Sequence, residues 1–141
     1  MISPLTTVDL NKVLELENNC FHDAYNELTL KSTFQAPTFY GLKFEDAEFK
    51  GYLILSRVLD EANLDRIAVK KEFRNQKIAT KLILSAVDEL KTSGVKSIFL
   101  EVRFDNESAI NLYKSLDFKQ ISIRKNYYGC GIDGLIFKKD L

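Results

Sequence analysis

The hydrophobic period changes in mid-chain, and this change constrains the fold more than any other feature. Leu64 to Val69 reads as a strand. Just downstream, Ile78, Leu82, Ile83, Ala86, Val87 and Leu90 recur on one face of a helix that Gly94 stops. Ser97 to Arg103 is again a strand. Strand, helix, strand implies a parallel pair joined by a right-handed crossover. Upstream, Phe39–Phe44, Gly51–Leu59 and Leu64–Val69 follow one another through the polar turns Glu45–Glu48 and Asp60–Asn63, as in an antiparallel meander. Val8–Phe21 carries a helical pattern that Thr7 or Asp9 would start, and Asn26 would cap a second short helix through Leu30 and Phe34, with Pro37 ending that region. Ala109, Leu112, Tyr113 and Leu116 mark a last helix, and Phe118–Ile123 and Leu135–Phe137 the closing strands. The expectation is a mixed, mostly antiparallel α/β (α+β) sheet flanked by helices, in one domain over residues 1–141.

Composition removes several function classes. Lys plus Arg and Asp plus Glu number 20 each, so the net charge is zero, and a general nucleic-acid binder would show a basic excess. No apolar run approaches the ~20 residues that span a bilayer, and Met1–Leu5 lacks the layout of a signal peptide. Two cysteines, Cys20 and Cys130, make no disulfide framework and no metal cluster, so free thiols in a cytoplasmic protein are expected, with no metal. The single histidine, His22, has no nearby partner of ligand or triad type and is expected to be a surface residue.

Four places could carry chemistry. The segment Phe73-Arg74-Asn75-Gln76-Lys77-Ile78-Ala79 joins a strand to the start of the long helix. Free N–H groups and the helix dipole make such a place an anion site. It is equally a solvated basic loop, and it has neither the Gly-Lys-Ser/Thr of a P-loop nor the three glycines of a dinucleotide fingerprint. In Ser97–Arg103, alternation puts Ile98, Leu100 and Val102 on one face and Phe99, Glu101 and Arg103 on the other. A carboxylate there either pairs, with Arg103, or lines a cleft as a general base. Tyr113 lies on the apolar face of its helix, as a core tyrosine would. Asn106 precedes that helix, as a cap would.

Together and in order, Ile67-Ala68-Val69, Arg74 to Ala79, Leu100-Glu101-Val102-Arg103, Asn106, Ala109, Leu112-Tyr113 and Phe118 resemble the GNAT acetyltransferases. More narrowly, Val58-Leu59-Asp60-Glu61-Ala62 and Arg124-Lys125-Asn126-Tyr127-Tyr128 are similar to the bacterial ribosomal-protein-alanine branch of that family. The resemblance implies a sheet whose central strands splay apart around acetyl-CoA. It implies that the main chain of Ile67, Ala68 and Val69 holds the pantetheine arm. Arg74, Asn75, Gln76, Lys77, Ile78 and Ala79 would cradle the pyrophosphate, and Asn106 would touch the CoA arm. Glu101 would be the general base and Tyr113 the general acid. The acceptor would be the N-terminal α-amine of a protein, alanine first, on a small-subunit ribosomal protein. A monomer or weak dimer, with no membrane or direct nucleic-acid partner, is expected. The rival readings are a GNAT acting on lysine or a small-molecule amine, and a CoA-binding module without turnover.

Three departures from the family pattern stand out. Lys77 replaces the first glycine of the phosphate loop, with its side chain expected to point to solvent. Asp117 replaces the glycine that usually precedes Phe118, and the loop after Tyr128 is short.

Overall fold

The computed structural model describes residues Met1–Leu141. Seven strands, β1 (Ile2–Pro4), β2 (Phe39–Glu45), β3 (Phe49–Val58), β4 (Glu61–Val69), β5 (Ser97–Arg103), β6 (Lys119–Arg124) and β7 (Gly134–Asp140), form one sheet in the order β1-β2-β3-β4-β5-β7-β6. Four helices pack on it: α1 (Leu10–Cys20), α2 (Glu27–Gln35), α3 (Ile78–Thr92) and α4 (Glu107–Ser115). Single 3-10 turns at Thr7–Asp9 and Lys71–Phe73 precede α1 and α3. β4 and β5 run parallel, as the strand–helix–strand pattern requires, and the other neighbours pair antiparallel.

Alternation along the central strands divides the interior into two layers. Leu53 and Leu55 of β3 face α3 and α4, where they meet Leu82, Ile83, Ala86, Leu90, Ile98, Leu100, Val102, Tyr113 and Phe137. Tyr52 and Ile54 face the other way, toward Val13 and Leu16 of α1 and Leu30 of α2. Asn26 caps α2 as expected, its Oδ1 accepting from the Thr29 amide at 2.8 Å. Asn106 caps α4 in the same way, from Ala109 at 3.3 Å.

The feature that positions the site is an irregularity in β4. Ile54 pairs with Arg66 and Leu55 with Leu64, so Asp65 is an extra residue with no partner on β3. Leu64 and Ile67, three positions apart, would face opposite sides of a regular strand. Both pack on the α3/α4 side because the bulge at Asp65 resets the alternation. Pairing between β4 and β5 runs only from Glu61–Ser97 to Asn63–Phe99 and stops just before this bulge. β5 meanwhile stays paired with β7 from Ser97 to Arg103. The strands therefore part beyond Asn63, and the sheet opens toward the C-terminal end of β4.

Several boundaries differ from the sequence reading. The β3–β4 connection is a two-residue turn, Leu59–Asp60, with Val58 paired to Glu61, so residues 61–63 are strand rather than turn. Leu59 turns the chain at φ 57°, a conformation that a leucine does not advertise. The edge strand β1 was not foreseen, since three residues ending in proline carry no periodicity. β7 runs three residues past Phe137, because Lys138 to Asp140 pair with Ser97 to Phe99 despite their polarity.

Candidate active site

Where β4 and β5 part, a cavity of ≈ 610 Å³ opens on the α3/α4 side of the sheet. Ile67, Ala68 and Val69 form one wall, and Phe73, Arg74, Asn75, Lys77, Ile78, Ala79 and Thr80 a second. Asn106, Ser108, Ala109, Leu112 and Tyr113 of α4 form the third, and Cys20 and Phe21 close the end by α1. The loop ahead of α3 and the N-cap of α4, Asn106, thus border one cavity. Gln76, named with them, is exposed and not part of the lining.

Two sources of unpaired backbone polarity face this cavity. Past Asn63, the edge of β4 that would pair with β5 has no strand beside it. The start of α3 is the other. Its N-cap residue, Lys77, makes no side-chain cap, no acidic residue lies in the first turn, and the first bond back to the cap is Lys81 N–H to Lys77 carbonyl at 2.9 Å. The N–H groups of the first turn are then free, at the positive end of a 15-residue helix. The loop reaches this position through two left-handed residues, Asn75 at φ 64° and Lys77 at φ 62°.

Arg74, expected to help cradle a pyrophosphate, lines the cavity with part of its guanidinium engaged. Its Nε donates to the Val69 carbonyl at 3.1 Å, and one terminal nitrogen lies 3.4 Å from Cys20 Sγ. The guanidinium is folded onto the ends of β4 and α1 while still lining the cavity.

Glu101 and Tyr113 approach the opening from opposite faces. Tyr113 is 7% exposed and packs on Phe118 in the α3/α4 layer, with its ring on the cavity wall. Burial, and to a lesser degree the phenol of Tyr128, pushes its pKa up to about 12. It is therefore a protonated hydroxyl at any physiological pH. Glu101 points to the other face, as the buried–exposed alternation of β5 shows, and so does not line the cavity. Its partner is Arg124 of β6, 3.3 Å from Oε1, and not Arg103, which grips Asp105 with two bonds of 3.0 Å. The other carboxylate oxygen, Oε2, is buried with no hydrogen-bond partner. Arg124 was missed because it lies 23 positions away, on a strand that neighbours β7 and not β5.

The surroundings of Glu101 contain groups that sequence spacing did not connect. Tyr128, in the loop between β6 and β7, has a raised pKa through burial first, then through the charges of Glu101 and, more weakly, Asp23.

An open seam between parallel strands, the start of a 15-residue helix and a buried tyrosine border the same cavity. The chain belongs to the acetyltransferase (GNAT) family, whose sequence profile matches residues 10–118. It is an acetyl-CoA-dependent N-acetyltransferase. Among its relatives, the enzyme named ribosomal protein bS18-alanine N-acetyltransferase from Salmonella typhimurium is 38% identical, covering 90% of this chain and 86% of the relative. Its counterpart in Haemophilus ducreyi is 35% identical over 91% and 88%. The crystal structure of the ribosomal-protein-S18-alanine N-acetyltransferase from Escherichia coli superposes with a TM-score of 0.91 at 32% identity, covering 99% of this chain and 92% of the other.

Proposed function

We propose that this enzyme acetylates the N-terminal α-amine of a protein that begins with alanine, a small-subunit ribosomal protein, in the cytoplasm. Two relatives of high coverage bear names that specify such an acceptor. Proton chemistry favours the same choice. An α-amine has a pKa of ~7.7 to 8.0 against ~10.4 for lysine, so far more of it is neutral near pH 7. A single carboxylate can complete that deprotonation.

The observation that supports the mechanism is that Oε2 of Glu101 is buried without a hydrogen-bond partner on one face of β5, while Tyr113 lines the cavity on the other. Acetyl-CoA, when bound, supplies the acyl carbon and a thiolate leaving group. Glu101 Oε2 receives the proton that the attacking amine must lose, while Arg124 holds Oε1. The Tyr113 hydroxyl, protonated up to about pH 12, donates to the departing sulfur. The free edge of Ile67 to Val69 runs alongside the pantetheine arm. The first turn of α3, with Asn75, Lys77, Ile78 and Ala79, takes the pyrophosphate on its N–H groups. Gln76 supplies only its backbone to that loop. Asn106 caps α4 and presents its side chain to the CoA arm.

The test is a set of peptides incubated with acetyl-CoA and read by mass spectrometry. Peptides that begin with alanine are expected to gain one acetyl group at the α-amine. Modification confined to the ε-amine of lysine, or found only on small amines, would reject this acceptor.

A further inference from the structure

Arg66 lies on β4 between the bulge and the cavity wall, and nothing in the mechanism uses it. Its side chain points away from the cavity, among α1 and the α1–α2 loop. The guanidinium is sandwiched between the rings of Phe21 and Tyr25, at 4.2 and 4.1 Å from their centroids. One terminal nitrogen donates to the Asp23 backbone carbonyl at 2.8 Å and lies 3.3 Å from the fully buried carboxylate of Glu17, and the other lies 3.7 Å from the Asp23 carboxylate. Glu17 is in turn bonded to the Tyr52 hydroxyl and, at 2.9 Å, to the Tyr25 amide. A planar, always-charged group that stacks on two rings and bonds between them cannot be replaced by a flexible ammonium.

These contacts converge on one segment. Between α1 and α2, Phe21, Asp23 and Tyr25 are all held by Arg66, and no regular backbone ladder holds them. Phe21 lines the cavity at its α1 end, and the rest of the loop, from His22 to Tyr25, lies outside that lining. The clamp therefore fixes the segment at the rim of the cavity, and it is anchored on the strand that forms the cavity wall.

We propose that Arg66 is a positioning residue for the acceptor: it fixes the α1–α2 loop at the rim of the cavity and so sets the affinity for the peptide, without acting on acetyl-CoA or on the transfer itself. This rests on the reading of a protein N-terminus as acceptor. Arg66→Lys keeps a charge beside Glu17 and loses the stack and the fork. Tyr25→Leu removes one ring and leaves the Arg66–Glu17 pair and the Tyr25 amide bond in place. Each folded variant is to be compared with wild type using an alanine-first peptide, and acetyl-CoA affinity is to be measured separately by thermal shift. The expected result in both is a KM for peptide raised at least tenfold, with kcat and acetyl-CoA affinity within threefold of wild type. An unchanged KM for peptide, or a parallel loss of acetyl-CoA affinity, overturns the proposal. Should Arg66→Lys fail to fold, Tyr25→Leu decides alone. A wild-type enzyme that takes no peptide overturns the acceptor reading and this inference with it, whereas active wild type with unaltered variants overturns this inference only.

Discussion

Lys77 and Asp117 occupy left-handed backbone, at φ 62° and 66°. These are the two positions where the family resemblance leads one to expect glycine, and the dihedral angles give the reason. A side chain in that region costs about 1–2 kcal/mol against a right-handed conformation, while glycine adds back unfolded-state entropy worth roughly 0.5–1 kcal/mol. We predict that Lys77→Gly raises stability by about 0.5–1 kcal/mol, as the difference of those terms. Acetyl-CoA affinity should change less than threefold, because in the proposed site the pyrophosphate would be held by backbone N–H groups. A tenfold gain in affinity on titration would mean that the lysine side chain crowds the loop. The other residue-scale prediction concerns Tyr113 and Glu101. Tyr113→Phe removes only a hydroxyl from a packed ring, so melting temperature and acetyl-CoA binding should persist while turnover falls ~100-fold to 10,000-fold. Glu101→Gln should lose most at low pH, where the amine is protonated. Steady-state rates under conditions where chemistry is limiting check both, and a Tyr113→Phe enzyme with more than half of wild-type turnover would return that residue to the core.

At the scale of elements, α3 and β5 were legible because their patterns are long and regular, and their linkage by a parallel crossover followed from chirality alone. The bulge at Asp65 was not legible. Leu64, Ile67 and Val69 read as ordinary apolar strand residues, and only the register against Ile54 and Leu55 shows that one residue is extra. The same limit hid Arg124 as partner of Glu101, since β7 is inserted between β5 and β6 in the sheet and breaks sequence order. Local adjacency suggested Arg103, which instead turns along the strand end to Asp105. The Arg74-to-Ala79 segment lies between β4 and α3 as the pattern implied, and its arginine donates from Nε to the Val69 carbonyl. The close approach of β3 to the wall of the cavity depends on Gly51, where a Cβ would sit 2.7 Å from the Ala68 carbonyl oxygen and 3.3 Å from Val69 Cα. Both contacts are backbone, so the strand must move. Gly51→Ala is expected to destabilise the fold by ~1–3 kcal/mol and to weaken acetyl-CoA binding, because the displaced residues, Ala68 and Val69, line the cavity proposed to take the pantetheine arm. Chemical denaturation together with a thermal-shift titration checks it, and an alanine variant of wild-type affinity would show that β4 yields without disturbing the site.

For the whole molecule, five of the six tyrosines have raised pKa values, with burial the first cause in each: Tyr25, Tyr40, Tyr52, Tyr113 and Tyr128. Tyr40 and Tyr52 are raised further by hydrogen bonds to Glu89 and Glu17, which join β2 to α3 and β3 to α1. In the unfolded chain these phenols titrate near pH 10, and in the folded protein they stay protonated above that. The folded state then holds more protons, so its stability is full below pH 10 and falls as pH rises beyond it. Alkaline unfolding should be steep, and Tyr113→Phe should soften it between pH 10 and 12. Unfolding curves at fixed pH values check this, and a slope unaffected by the substitution would show that Tyr113 ionises equally in both states. The parting of β4 from β5 has a different kind of consequence. A sheet ordinarily zips closed because every amide finds its neighbour, and here evolution has left a run of main-chain partners to be supplied from outside. On the reading proposed above, the amide-bearing arm of acetyl-CoA would fill that gap as something close to an eighth strand, and binding the donor would complete the fold along the seam.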